Sequence, residues 1–329
     1  MYDESVSGRL TSKNILGVSL NFNDVQRLFL LSALVVVIIS MTLLNARFLS
    51  WGNIINIARQ MSINLIIAVA MTYCIISGGF DLSVGSVGAM AGCLTGIILE
   101  STGNIPLAIA VGLASGGITG IANGFVIAKL NVPPFVATLG TMSAARGVAL
   151  LVTGGIIISG FPDSFNFIGT GFIFGIPVPV IIMVIVVVIG HIVLSKTEFG
   201  LNIYALGGNY KASRLAGLEN DKMIMKIYTL SGLLSAMAGI ILTARVISAQ
   251  PGLMQTTNLD VIAAVVVGGT SLAGGKGSIG NTILGSILMA ALFNGLNIIG
   301  IGYEWQLVVI GIIVIIAVAL DMISRKNEI

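Results

Sequence analysis

The chain has 329 residues, of which 56% are apolar and only 9% charged, with a net charge of +3 at pH 7 and a mean hydropathy of +1.05. A soluble domain carries about 25% charged residues, so these apolar side chains are hidden only by being offered to lipid. Soluble globular classes are excluded, and the small net charge offers nucleic acid no basic surface.

The first 27 residues are polar, with Arg9, Lys13 and Arg27 ahead of the first apolar run. No small-residue cleavage pattern follows that run, which reads as an uncleaved span behind a cytoplasmic segment 1–27. A helix needs about 20 apolar residues to cross the hydrocarbon layer. Segments 28–44, 54–77, 84–99, 105–128, 135–153, 178–194, 227–249, 279–299 and 306–320 meet or approach that length. The 42 glycines, about twice the usual share, predict close helix packing and interrupted helices.

A tenth segment, 259–267, is too short to cross alone, since nine residues rise only about 14 Å as a helix. It is either a re-entrant hairpin or a half-helix continued by the glycine-rich stretch 268–277. Charge favours the crossing. With ten spans and the N-terminus inside, the cytoplasm receives Lys129, Lys196, Lys211, Arg214, Lys222, Lys226, Lys276, Arg325 and Lys326 as well as the N-terminal basic residues, and the outside receives only Arg47. The expectation is an all-α polytopic protein of about ten transmembrane segments with one or more broken helices. Residues 28–323 form the membrane body, and both termini, including the tail 324–329, lie in the cytoplasm.

The loop 196–226 is amphipathic and mixed in charge. Within it Asn209 suits a helix N-cap and Gly217 a C-terminal stop. Such a helix either lies on the bilayer surface or docks a partner. The glycine pairs at Gly78-Gly79 and Gly268-Gly269 each follow an apolar run and precede another span, a faint internal echo.

Two nucleotide-binding patterns fail on context. The run Gly275-Lys276-Gly277-Ser278-Ile279-Gly280 fits G-x-G-x-x-G, but its neighbours are membrane spans rather than a βαβ unit. It is no Walker A site either, because Gly277 follows the lysine. Any ATP chemistry therefore belongs to another polypeptide. His191 is the single histidine, and Cys74 and Cys93 sit in apolar runs as packing residues, so neither a metal nor a cofactor site is expected here.

Charges inside spans are expensive. Arg146 lies eleven residues into its span, about 16 Å deep, where insertion costs about 2.5–3.5 kcal/mol and asks for a carboxylate or carbonyl partner. Asp81 and Asp260 stand at the two helix breaks, where each either caps free N–H groups or faces a pathway. They are the acidic candidates for pairing with Arg146.

Several long motifs occur in one order: Gly78-Gly79-Phe80-Asp81-Leu82-Ser83-Val84-Gly85-Ser86, Pro133-Pro134-Phe135-Val136-Ala137-Thr138-Leu139-Gly140-Thr141-Met142, Ala145-Arg146-Gly147, Tyr204-Ala205-Leu206-Gly207-Gly208-Asn209, Arg214-Leu215-Ala216-Gly217, and Asp260-Val261-Ile262-Ala263-Ala264 running into Gly268–Gly277. Together they resemble the ribose/xylose-type permeases of bacterial ATP-binding-cassette importers, over about residues 53–321. Phe80 and the pair Ala212-Ser213 are mild departures from the family pattern.

The resemblance implies a multi-pass inner-membrane permease paired with a second copy or a homologue. It also implies a cytoplasmic ATPase that carries ATP-Mg and engages Asn209, Ala212, Arg214, Leu215 and Gly217, and an extracytoplasmic sugar-binding protein. The substrate implied is a monosaccharide, a ribose-like pentose foremost. The same family also moves a furanose-like quorum signal, autoinducer-2; an ion-coupled carrier or channel is the competing class. An uncharged sugar calls for neutral polar contacts, so Ser83, Asn123, Thr138, Asn294 and Asn297 join Asp81, Arg146 and Asp260 as candidates for the path.

Overall fold

The structure, a computed structural model, describes residues 22–326 and the residue pairs 14–15 and 18–19. Arg9, Lys13 and most of the expected segment 1–27 lie outside the described residues, as do the last three residues of the expected tail. The pairs form a small antiparallel ladder, β1 (Asn14–Ile15) with β2 (Val18–Ser19). Thirteen α-helices follow among the described residues.

Helix α1 (Phe22–Leu44) ends in a 3₁₀ turn, Ala46–Leu49, whose N-cap Asn45 accepts from the Arg47 N–H at 3.0 Å. Helix α2 (Trp51–Ile76) is the spine of the molecule. It buries Ser62, Ile63 and every residue from Leu65 to Ile76, so its second half is wrapped by protein on all sides. Helices α3 (Val84–Thr102), α4 (Ile105–Lys129) and α5 (Pro134–Thr153) follow through short connections.

After α5 the chain forms β3 (Ile158–Ser159), α6 (Asp163–Thr170) and a hairpin of β4 (Phe172–Ile173) and β5 (Ile176–Pro177). The hairpin turns on Phe174 and Gly175, both at positive φ, as a two-residue type I′ turn requires. Helix α7 (Val178–Lys196) then presents Val184, Ile185, Val188, Ile189 and Ile192 outward, the exterior expected of a lipid-facing helix.

Two short helices, α8 (Glu198–Gly208) and α9 (Tyr210–Leu215), occupy the loop 196–226 ahead of α10 (Asn220–Val246). Strand β6 (Ser248–Ala249) pairs antiparallel with β3. The chain then folds back until Met254 lies beside Gly85 and Gly88 of α3, and continues into α11 (Thr257–Val267). The glycine-rich stretch leads to α12 (Ile279–Ile298) and α13 (Tyr303–Lys326).

The expected spans thus all correspond to helices, and seven of these are long and apolar enough to cross a membrane. The short segment 259–267 lies within helix α11 (Thr257–Val267), and irregular backbone follows it. Helix α6, the hairpin and α8 are not among the elements that the sequence pattern predicts.

Glycine sets how closely the central helices approach. Gly112, Gly116, Gly120 and Gly124 of α4 recur every four residues, and a methyl group on Gly116 or Gly120 would overlap the α10 backbone at Gly232 or Tyr228. Small residues at this spacing let helices pack backbone to backbone, where dispersion holds them in the absence of a hydrophobic drive. The central hydrophobic cluster runs from Ile63 through Ile76 to Ile203, Leu206 and Ile227, so the short helix α8 is anchored in the same core as α2.

Candidate functional site

Helix α9 is built by local chemistry. Asn209 caps it, its side-chain oxygen accepting from the Ala212 N–H at 2.9 Å. Gly217, at φ 90°, closes it, and the Leu218 N–H returns to the Ser213 carbonyl at 3.0 Å, the hydrogen bond of a Schellman stop. Ser213 faces inward, while Ala212, Arg214 and Leu215 face out. Leu215 is 89% exposed, an apolar tip on a short helix capped at both ends.

Behind α9 the backbone of three segments meets. The Gly275 N–H donates to the Ile76 carbonyl at 2.8 Å, and a methyl group on Gly207 would overlap that same carbonyl. The Tyr204 hydroxyl donates to the Gly277 carbonyl at 2.7 Å, and burial raises its pKa, which keeps the donor proton in place. Helix α8 is therefore fastened both to the end of α2 and to the glycine-rich stretch after α11.

The two helix breaks have matching geometry. At the first, Gly78 (φ 87°) bonds to the Ile75 carbonyl and Gly79 to Cys74; at the second, Gly269 (φ 86°) bonds to Val266 and Thr270 to Val265. The echo seen in the sequence is present as a shared helix stop, but Gly78 corresponds to Gly269 rather than to Gly268.

Four expected path residues gather at the first break. Asp81, 1% exposed, accepts from the Ser83 N–H at 2.9 Å, the Ser83 hydroxyl at 2.6 Å and the Ser231 hydroxyl at 2.6 Å. The Asn123 amide donates to Ser83 Oγ at 3.1 Å and accepts from the Thr141 hydroxyl. Thr138 and Tyr228 both reach the Phe80 carbonyl. The network ties the break to α4, α5 and α10.

Arg146 stands apart from both carboxylates. Its Nη1 donates to the carbonyls of Pro251 and Leu253, which satisfies backbone that has left helical pairing in the fold-back before α11. Of the two kinds of partner expected, the structure supplies the carbonyls. Asn294 forms a reciprocal amide pair with Asn53, at 2.8 and 3.0 Å, joining α12 to α2.

Asp260 and Asn297 line a cavity of about 220 Å³ between α2, α11, α12 and α13. Its inner wall carries buried Ser286 and Met289, whereas Asn297 and Tyr303 at the rim are exposed. Gln60 and Asn64 enter from α2 and Gln306 from α13. Sequence reading missed these three and Ser286. The available signal was the pair Gln60 and Asn64, one helical turn apart inside an apolar span, which places two amides on one face.

A family model described as the permease component of the branched-chain amino acid transport system matches residues 53–318. The ribose import permease protein RbsC of Bacillus subtilis (strain 168) is 44% identical over 298 residues, covering 90% of this chain and 92% of that relative. The RbsC protein of Haemophilus influenzae is 43% identical over 304 residues, with the same coverage of each. The L-arabinose transport system permease protein AraH of Escherichia coli (strain K12) is 37% identical over 281 residues, covering 85% of this chain and 86% of AraH. No solved structure matches the chain.

Proposed function

The chain belongs to the family of branched-chain amino acid transport system permease components, and from that membership we propose that it is the transmembrane subunit of an ATP-binding-cassette importer, carrying a monosaccharide across the bacterial inner membrane. The observation that carries this reading is the likeness to ribose import permeases along nearly the full length of both chains. A ribose-like pentose is the first substrate to test.

On this reading the chain crosses ten times with both termini in the cytoplasm. ATP-Mg is hydrolysed on a separate ATPase, a binding protein delivers sugar from outside, and a second permease copy or homologue completes the assembly. Asn209, Ala212, Arg214, Leu215 and Gly217 form the ATPase-docking element. Its support is the capped geometry of α9, its outward Arg214 and Leu215, and the backbone junction behind it. ATPase motion at α9 moves α8, and α8 packs against the end of α2 at Gly207 and is bonded to the glycine-rich stretch through Tyr204, so a rigid-body tilt of these elements alternates access.

The test is ATP-dependent uptake of labelled ribose by the assembled transporter, with Arg214→Glu and Gly217→Trp as variants. Both variants are expected to abolish uptake while reaching the membrane at normal levels. Undiminished uptake in both overturns the docking assignment.

A further inference from the structure

The cavity between α2, α11, α12 and α13 holds two buried polar atoms without a hydrogen-bond partner among the described residues, Asp260 Oδ1 and Ser286 Oγ. Ser286 is 4% exposed. A buried hydroxyl or carboxylate oxygen left unpaired keeps the full penalty of its lost hydration, so a polar occupant that pairs with them recovers that penalty. Arg59 Nε, Asn166 Oδ1, Ser235 Oγ and Thr270 Oγ1 are also unpaired among the described residues, but none of them lines this cavity, where two such atoms share one space.

The chemistry of the lining selects the occupant. Among the described residues the lining carries one carboxylate and no Lys, Arg or His, which disfavours anions and leaves the carboxylate of an amino acid without a counter-charge. Gln60 and Asn64 present amides, each with donors as well as an acceptor, while the Gln306 amide donates to Asn297 Oδ1 and the Ile301 carbonyl, which leaves the Gln306 oxygen and the Asn297 N–H groups for an occupant. A cation uses only the oxygens of such groups, whereas a hydroxyl both donates and accepts. Phe293 and Met289 add an apolar wall suited to the C–H face of a small ring. A volume of about 220 Å³ falls below the roughly 300–1,000 Å³ of drug-sized pockets and suits one small solute.

We infer that this cavity is a binding site for a single neutral polyhydroxylated ring within one permease copy, with Asp260 and Ser286 as its inner hydrogen-bonding groups. The inference rests on the importer reading, and it assigns the solute to a chamber inside one chain. The rim at Asn297 and Tyr303 lies at the opposite end of α2 from the α8 junction, because Asn53 pairs with Asn294 and Ile76 with Gly275. On the ten-crossing topology that rim opens to the side from which sugar is delivered.

The experiment has two arms. In membranes containing the full transporter, Ser286→Cys is alkylated with a small thiol reagent in the presence of ribose, L-arabinose, xylose or leucine, and its peptide is followed by mass spectrometry apart from those of Cys74 and Cys93. In parallel, ribose uptake is measured for the unmodified chain and for Asp260→Asn and Gln60→Leu. At least one sugar, and not leucine, is expected to slow alkylation, and Asp260→Asn is expected to reduce uptake about tenfold, the loss of one strong hydrogen bond.

Sugar uptake by the unmodified chain without any protection of Ser286→Cys overturns the site and leaves the importer reading standing. Protection by leucine alone overturns the polyol assignment. Absence of ATP-dependent uptake for every sugar overturns the importer reading, and the site with it.

Discussion

At Gly207 the fold leaves no room for a methyl group: a Cβ there would overlap the Ile76 carbonyl and crowd the Gly275 N–H. The next glycine, Gly208, has nothing within 4 Å of a Cβ. Gly207→Ala is therefore expected to destabilise by about 1–3 kcal/mol, the usual penalty of overpacking, while Gly208→Ala stays within about 0.5 kcal/mol. Thermal unfolding in detergent compares the two, and equal midpoints would refute the backbone junction. Arg146 gives a second contrast. Because its partners are carbonyls, Arg146→Ala should lose about 1.5–3 kcal/mol, as for hydrogen bonds involving a charged group, and exchanging charges between positions 146 and 260 should restore nothing. Recovered stability in the exchanged variant would instead indicate a direct ion pair. The depth of Arg146 and its need for a partner were legible in the sequence, because both follow from its position in one span. Which partner it took was not, since the carbonyls belong to a fold-back more than a hundred residues away.

Single helices reveal the same division between local and distant causes. The caps of α9 could be read at Asn209 and Gly217 because capping is settled within a few residues. That the segment at α11 is too short to cross alone was legible too, because its apolar run falls well below the length a bilayer needs. Helix α8 escaped notice: it is held by Tyr204 and Gly207 against segments far away in sequence, and its own pattern is unremarkable. The cavity is not legible for that reason too, with its polar groups spread over four helices that meet only in the fold. For α9 itself, the exposed Leu215 makes a quantitative prediction. Burying a leucine contributes about 1.5–3 kcal/mol, so Leu215→Ala should weaken capture of the partner ATPase by about tenfold or more while leaving the unfolding midpoint unchanged. Affinity between the purified permease and that ATPase, measured in detergent, checks it, and unaltered affinity would remove Leu215 from the contact.

Across the whole molecule, α2 connects two polar regions of different character. At one end its last carbonyl meets α8 and the glycine-rich stretch; nearer the other, Gln60 and Asn64 enter the cavity. A displacement imposed at α8 therefore acts on helices that also form the cavity wall, which is the coupling an importer needs between its engine and its solute. The same arrangement bears on how often the chain crosses. The Gly275 N–H is bonded to Ile76 and lies against Gly207, so the stretch after α11 reaches the end of the bundle that carries α9. Strand β6, before α11, is paired to β3 beyond the far end of α5. If the loop bearing α9 is cytoplasmic, segment 257–277 traverses the bundle, and the connection between α12 and α13 emerges outside. A reporter active only outside the cytoplasm should then be active when fused at 301, silent when fused near 217, and silent again at the C-terminus. A nine-crossing chain, with 257–277 re-entrant, would reverse the first and last of these signals. Activity at 301 thus tests whether a half-helix and a run of glycines together complete a crossing, with the positive charge of Lys276 held on the cytoplasmic side.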